Sequence, residues 1–96
     1  MSNLTEQIQL TFEHRELLLK YAFPSTRLLG SLRRWPKGQP IRRVWMSRAE
    51  LQRQIGELSR SYNHDETGSD SDAVLDLCDH LEHAERTGDG DLDILW

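Results

Sequence analysis

The segment DLCDHLEH, residues 76–83, carries side-chain types that bind metals and transfer protons. Four of them recur at the i, i+3, i+4, i+7 spacing that places side chains on one face of a helix. They are Asp76, Asp79, His80 and His83. Imidazole and carboxylate ligands spaced in this way can hold a divalent cation. Because this face lies opposite Leu77 and Leu81, we instead expect the solvated side of an amphipathic helix, with no metal and no cofactor.

Covalent catalysis would require a Ser or Cys nucleophile beside a His base that an acid orients. The single cysteine, Cys78, lies on the apolar stripe of the same helix, which predicts a small core residue and not a reactive thiolate. The sequence also has no phosphate-binding glycine loop and no nucleophile elbow. These patterns predict that the protein is not an enzyme.

The formal net charge of −4 conceals a strong segregation of charge along the chain. Residues 27–60 carry nine basic and two acidic side chains, a balance of +7, whereas residues 61–96 carry one basic and eleven acidic side chains, a balance of −10. Arginine suits bidentate contact with phosphate, so the basic segment could bind nucleic acid. We favour its pairing with the acidic third, in the same chain or in a second subunit, because a nucleic-acid-binding domain usually has a net positive charge.

Aromatic and basic residues flank the sequence PKGQP, residues 36–40. Trp35 and Trp45 could fill a small core, which we favour, but Trp beside Arg is also typical of the anchors of protein interfaces. The surface that we expect to contact a partner extends from residue 35 to residue 53, with the acidic helix and the tail as a second candidate. The candidate partner-binding residues are Arg33, Arg34, Trp35, Lys37, Arg42, Arg43, Trp45, Arg48 and Trp96.

The C-terminal sequence GDGDLDILW, residues 88–96, places apolar residues after a spacer of glycine and aspartate. It could fold back onto the core, dock into a groove of another protein, or lie on the basic segment and shield it. Burying its large apolar side chains would contribute roughly 1.5 to 3 kcal/mol each, against the cost of ordering the segment. In a chain with a small core, this gain favours the first alternative. The side chains are Leu92, Ile94, Leu95 and Trp96.

Two helices are predicted in the second half of the chain. The sequence SRAE, residues 47–50, is a capping box, and apolar residues then recur every three or four positions until about Asn63. A second helix is predicted over residues 71–87, where the apolar spacing is again three or four and Gly88 occupies a C-terminal cap position.

The first half of the chain is harder to assign. Residues 4–23 can form one long helix, yet Ile8, Leu10 and Phe12 also alternate as they would in a strand. We favour the helix because Glu, Gln, Leu and Lys dominate the segment. The sequence STRLLGSLRRW, residues 25–35, then predicts a short helix before Pro36 ends it. Its expected inward side chains are Leu28, Leu29, Leu32 and Trp35.

Residues 36–46 contain two prolines and one glycine, which favour an extended loop or an edge strand. Elsewhere, fifteen leucines against four isoleucines and two valines favour helix over sheet. The predicted fold is therefore all-α. It is a small four-helix domain of residues 1–96, with the extended loop at residues 36–46 between two helix pairs and the tail at residues 88–96.

The sequence has no apolar run of 18 residues and no secretory leader pattern, so we expect no membrane span. A single cysteine suits a reducing compartment, which predicts a cytoplasmic protein. We expect a small non-catalytic regulatory protein that binds a larger protein partner, with a homodimer as an open possibility. The alternative is a nucleic-acid-binding regulator that uses the basic segment and is shielded by the acidic third.

Overall fold

The computed structural model describes residues 5–88 and residue 90, so the apolar residues of the tail lie outside it. A π-helical turn, Leu18–Ala22, prolongs the first helix, and a short 3-10 turn, Gly68–Asp70, precedes the last. Within the described ranges, no helix is both long enough and apolar enough to cross a membrane. The strands and helices are β1 (Thr5–Thr11), α1 (Phe12–Leu17), α2 (Thr26–Arg33), β2 (Ile41–Ser47), α3 (Arg48–Asn63) and α4 (Ser71–Thr87).

The prediction of an all-α fold is wrong, because β1 and β2 pair as an antiparallel sheet beside the four helices. The helix predicted over residues 4–23 is therefore a strand in its first part. Ile8 and Leu10 are fully buried, whereas Gln7 is exposed and Gln9 is half-buried, so burial along β1 follows the period of two of a strand. The alternation ends at Phe12, which begins α1 and is 46% exposed, and Phe23 is 58% exposed.

The chain changes from strand to helix at Thr11. The Thr11 hydroxyl accepts a hydrogen bond from the His14 amide at 3.0 Å, and His14 Nδ1 accepts one from the Thr11 amide at 3.1 Å. This is a capping box in which His stands where Glu or Gln is usual. The unusual residue hides the helix start in the sequence.

Two buried polar side chains of α3 hold the end of the π-helical turn. Ser61 Oγ donates to the Tyr21 carbonyl at 3.3 Å, and Gln54 Nε2 donates to the Ala22 carbonyl at 3.4 Å. Carbonyls at the end of a helix lack intrahelical partners, so a buried end requires donors from elsewhere. The interior Gln and Ser of α3 supply them.

The predicted helices downstream are confirmed. The short helix is α2, which begins after the N-cap Ser25. The capping box of α3 makes both of its hydrogen bonds, between Ser47 and Glu50, and the helix ends at Asn63 as expected. Gly88 closes α4 in the left-handed conformation. Within residues 36–46, the edge-strand alternative is correct from Ile41 onward.

The core lies between one face of the sheet and the helices. The inward side chains Ile8, Leu10, Val44 and Met46 join one cluster with the apolar stripes of the helices. The helix α3 packs against both α4 and the π-helical turn, which places it at the centre of the fold. The opposite face of the sheet carries the exposed side chains of Gln7, Arg43 and Trp45.

The Glu50 carboxylate joins α2, β2 and α3. It accepts the Ser47 amide at 2.8 Å, the Ser25 hydroxyl at 2.9 Å, and the guanidinium of Arg27. Arg27 in turn donates to the Trp45 carbonyl at 2.9 Å. Desolvation raises the pKa of Glu50, but the hydrogen bonds from Arg27, Ser47 and Ser25 outweigh it and lower the pKa to about 2.

We expect Glu50→Gln to lower the free energy of unfolding at pH 7 by about 1 to 3 kcal/mol, because it removes a charged cap and the partner of Arg27. Urea denaturation at pH 7 measures this change. The matched control is Glu57→Gln, whose partner Arg60 forms a surface ion pair one turn away, and we expect a change below about 0.5 kcal/mol. Equal changes in the two variants would contradict a special role for Glu50.

Candidate interaction surface

The face of the sheet that points away from the core carries mixed aromatic, basic and amide side chains. Along β2, Val44 and Met46 are buried, whereas Trp45 is 51% exposed. The register places Gln7 opposite Trp45 and Gln9 opposite Arg43. We name this surface the outer face. Its members are Gln7, Gln9, Thr11, Ile41, Arg43 and Trp45.

The backbone beneath Trp45 is held on both sides. Ladder pairing to β1 fixes one edge of β2, and on the other edge Arg27 donates to the Trp45 carbonyl at 2.9 Å. Farther along this edge, Arg42 Nη1 donates to the Ser31 carbonyl at 3.1 Å. The helix α2 therefore covers the edge of β2, and the Trp45 side chain projects from a rigid base.

The structure divides the predicted partner-binding residues into three groups. Trp35 and Arg42 donate hydrogen bonds to backbone carbonyls within the protein. Trp96 lies outside the described residues, so its predicted role stays a prediction. The remaining residues are exposed, and they are Arg33, Arg34, Lys37, Arg43, Trp45 and Arg48.

Trp35 is a core residue, as the favoured interpretation predicted, and it is not available as an anchor. It is 7% exposed, its indole Nε1 donates to the Gln39 carbonyl at 2.7 Å, and its ring meets the Phe12 ring edge-on at 6.4 Å. For Trp45 the same interpretation is wrong. Because Met46 is buried as the residue before the α3 cap, strand alternation turns Trp45 to the opposite face.

Ion pairs of the basic segment are local in the described part of the chain. Arg27 pairs with Glu50, and Arg60 Nη2 lies 2.6 Å from Glu57 Oε2. Both acids belong to residues 27–60 themselves. Among residues 5–88 and 90, Asp70 is the residue of the acidic third that forms an ion pair. Its partner is Lys20 of the first helix, which lies outside the basic segment. Pairing of the two segments within one chain is therefore not seen in the described ranges.

The stripe of acids and histidines on α4 does not converge on a metal site. Asp76, Asp79 and His83 are exposed, whereas His80 turns inward and its Nε2 bonds to the Gln9 carbonyl at 2.8 Å. In the part of the chain that the structure describes, no group of three or more His, Cys, Asp or Glu side chains could hold a metal ion.

His80 stacks on His14, a contact that the sequence did not indicate. The ring centroids are 5.7 Å apart and the planes differ by 24°. Burial and the neighbouring His80 lower the pKa of His14 to about 4, although Asp76 acts in the opposite direction. The His14 ring is therefore neutral at pH 7, which leaves Nδ1 free of a proton and able to accept the Thr11 amide.

Cys78 is a core residue, as predicted. It is 5% exposed, and its Sγ faces the Ile55 carbonyl at 3.8 Å. Burial, followed by the nearby Glu82, raises the pKa of the thiol to about 11. The nucleophilic thiolate form is therefore scarce at neutral pH.

An open cleft of about 710 Å³ lies between the first helix and the start of α4. Its basic group, Lys20 Nζ, lies 3.2 Å from Asp70 Oδ2, and the Tyr21 hydroxyl donates to the same oxygen at 2.8 Å. These groups satisfy one another and join α4 to the first helix. We therefore attribute the cleft to the packing of these elements and do not assign it as a ligand-binding site.

Comparison with known proteins gave no family model that matches the chain, and no significant similarity to a curated protein or to a solved structure. Function is therefore inferred from the chemistry of the surface itself.

We expect stability to fall as the pH drops from about 6.5 to about 4, because the unfolded chain protonates His14 more readily than the folded protein does. The loss should be about 1 to 2 kcal/mol, since partial solvation of the ring reduces the full effect of the shift. The variant His14→Gln retains a suitable capping residue and cannot titrate.

Urea denaturation at pH 7 and pH 4.5 checks this expectation, together with an NMR titration of the imidazole. The stability of His14→Gln should fall less over this interval than that of the wild type. An equal fall would assign the pH dependence to another group.

Proposed function

We propose that this chain is a small non-catalytic regulatory protein that binds another protein through the outer face of its sheet. The observation that carries the proposal is Trp45, a half-exposed indole on a strand whose backbone is fixed from both sides. Tryptophan and arginine are enriched among the residues that dominate binding energy at interfaces. Arg43 lies two residues away on the same face, so both residue types are present together.

The rigidity of this surface supports a role in binding. A side chain on a paired strand loses less freedom on association than one on a loose loop, so less of the interaction energy is spent on ordering. The amide side chains of Gln7 and Gln9, across the sheet, add hydrogen-bonding groups around the indole. Such a centre suits a partner with an apolar pocket and carboxylates at its rim.

The non-catalytic part of the proposal rests on how the reactive side chains are used. The thiol of Cys78 is buried, and the imidazoles of His14 and His80 hold β1 and the start of α1. A buried thiol also suits a reducing compartment, so we place this function in the cytoplasm. Association into a homodimer remains part of the proposal, because the acidic face of α4 complements the basic segment of a second copy.

The second candidate is a nucleic-acid-binding regulator. It is favoured by the exposure of Arg33, Arg34 and Arg43 together with Trp45, because arginines can contact phosphates while an indole stacks on a base. The net charge of the chain opposes it.

A photo-crosslinking residue at position 7, which is exposed and lies directly opposite Trp45 on the outer face, tests the first proposal in the native host and leaves Trp45 in place. Position 62 is the control, because Tyr62 is also partly exposed, at 40%, but lies at the far end of α3. We expect position 7 to capture a defined protein. With that protein purified, Trp45→Ala should weaken binding by about 30-fold or more, the effect of a residue that dominates an interface, and Tyr62→Ala should not. Binding that survives Trp45→Ala would overturn the proposal.

Titration of labelled DNA and RNA in a salt series separates the two candidates. Under the protein-binding proposal, we expect no binding above background at any salt concentration. A nucleic-acid site with several phosphate contacts would instead lose roughly 100-fold or more in affinity between 50 and 200 mM salt. Binding with this salt dependence that disappears when Arg33, Arg34 and Arg43 are replaced with alanine would establish the second candidate.

A further inference from the structure

The last turn of α2 has its carbonyls bound by arginines from other elements. Arg15 Nε of α1 donates to the Leu32 carbonyl at 2.8 Å, and Arg42 Nη1 of β2 donates to the Ser31 carbonyl at 3.1 Å. Basic side chains that follow a helix end in the sequence commonly bind its terminal carbonyls themselves. Here that role is already filled, so the basic residues at the end of α2 are not needed for it.

Three basic side chains lie at this helix end without a partner in the described part of the chain. Arg33, Arg34 and Lys37 are exposed, and among residues 5–88 and 90 none of the three side chains forms an ion pair or a hydrogen bond. The sequence offers them no nearby counter-charge, because residues 17–49 include no acid. Their charge is therefore available to a ligand.

An exposed aromatic ring lies beside these cations. The Phe12 ring meets the ring of Trp35, the residue after Arg34, edge-on at 6.4 Å. The Arg15 guanidinium lies 5.3 Å from the centre of the Phe12 ring, and the Phe12 amide donates to the Pro40 carbonyl at 2.9 Å. These contacts hold the ring in place, yet 46% of Phe12 is exposed. A ligand therefore meets an apolar side chain that is already ordered.

The turn that carries Lys37 is closed by hydrogen bonds. The Gln39 amide donates to the Pro36 carbonyl at 3.3 Å, and the Trp35 indole donates to the Gln39 carbonyl at 2.7 Å. All of residues 36–40 are exposed. The backbone of Lys37 is thus held next to the end of α2, so less freedom is lost when these side chains bind a ligand.

We propose that the end of α2 binds the carboxylates of a short acidic segment of another protein, with Phe12 as the apolar contact. We name this site the α2-end surface, and its members are Phe12, Arg33, Arg34 and Lys37. Guanidinium groups bind carboxylates with two hydrogen bonds, and an ammonium group acts as a point charge. The fitting segment has acidic residues around one large apolar residue. The proposal goes beyond the proposed function, because it requires neither Trp45 nor the outer face.

The charge of the rest of the molecule favours a short acidic segment over a nucleic acid. The chain has a net charge of −4, which repels a long polyanion. At physiological ionic strength charges act over about 8 Å, so a segment of a few residues interacts mainly with the cations that it contacts. Such a segment gains the local attraction without meeting the acidic residues elsewhere.

The test is an NMR titration of the isotope-labelled full chain with short synthetic peptides at low ionic strength. The first peptide has glutamates on both sides of a single leucine and blocked ends, and the matched neutral peptide has glutamines in place of the glutamates. We expect the acidic peptide to shift the backbone signals of Phe12 and of residues 33–38 in a saturable manner. The neutral peptide should leave these signals in place, because it offers no charge to the arginines.

Two double variants with the same change in charge locate the binding site. Arg33→Gln with Arg34→Gln should weaken binding of the acidic peptide by about 5-fold or more, as expected for the loss of two exposed charge pairs. The control is Arg48→Gln with Arg53→Gln, two exposed arginines of α3 that also have no ion pair among the described residues. We expect a change below about 2-fold in the control. The spectra themselves report whether each variant is folded.

A third peptide, with alanine in place of the leucine, tests the role of Phe12. The wild type should bind the leucine peptide about 5-fold more tightly than the alanine peptide, because the leucine covers part of the exposed ring. Phe12→Ala should bind the two peptides equally. Phe23→Ala removes another exposed ring, 58% exposed, and should keep the preference of the wild type.

Absence of saturable shifts would overturn the proposal, as would equal binding of the neutral peptide or equal weakening in the two double variants. Tighter binding of a short oligothymidine at the same residues would assign the surface to nucleic acid and overturn the proposal. Self-association of the free protein that Arg33→Gln with Arg34→Gln abolishes would assign it to a second copy, with the same consequence.

The result is separable from the test of the outer face. Trp45→Ala leaves the α2-end surface intact, so we expect it to bind the acidic peptide as the wild type does. Peptide shifts that centre on Trp45 and disappear in Trp45→Ala would place the acidic segment on the outer face and overturn the present proposal.

Discussion

The arrangement of this fold depends on one carboxylate. Glu50 caps α3, accepts the hydroxyl that caps α2, and neutralises Arg27, which in turn binds the carbonyl of Trp45. A half-buried carboxylate is costly unless it is fully hydrogen-bonded, and here hydrogen bonds from three residues compensate the desolvation. The orientation of α2 along the edge of β2 follows from this junction, which also holds the backbone carbonyl of Trp45. The candidate surface is thus built on the same interaction that starts the central helix.

The helices of the second half were predictable because their signals are local. A capping box, a period of three to four and a terminal glycine each act within a few residues, and α3 and α4 follow them to within one residue. The first strand was not predictable in the same way. Its residues favour helix by propensity, and its strand conformation depends on pairing with Ile41–Ser47, some 36 positions along the chain. Tertiary pairing overrode local preference, and the capping histidine at position 14 concealed where the helix begins.

The candidate surface was partly predictable, since residues 35 to 53 include both of its main residues, Arg43 and Trp45. The sequence could not distinguish Trp35 from Trp45, because each lies among arginines and prolines. The two tryptophans differ in their tertiary contacts. Trp45 points away from the core because its neighbour Met46 is buried, whereas Trp35 is buried and its indole donates a hydrogen bond to the Gln39 carbonyl. Gln7 and Gln9 could be assigned to the surface only once β1 was known to be a strand.

Charge geometry limits which partners suit this surface. The helix α4 is about 25 Å long at 1.5 Å per residue, and it carries an acidic face on the same small molecule as the basic segment. At physiological ionic strength, charges act over about 8 Å, so a short acidic segment placed on the outer face would interact mainly with Arg43 and its neighbours. A long polyanion would extend beyond that range, and the eleven carboxylates of residues 61–96 outnumber the nine basic side chains of residues 27–60 and oppose its binding.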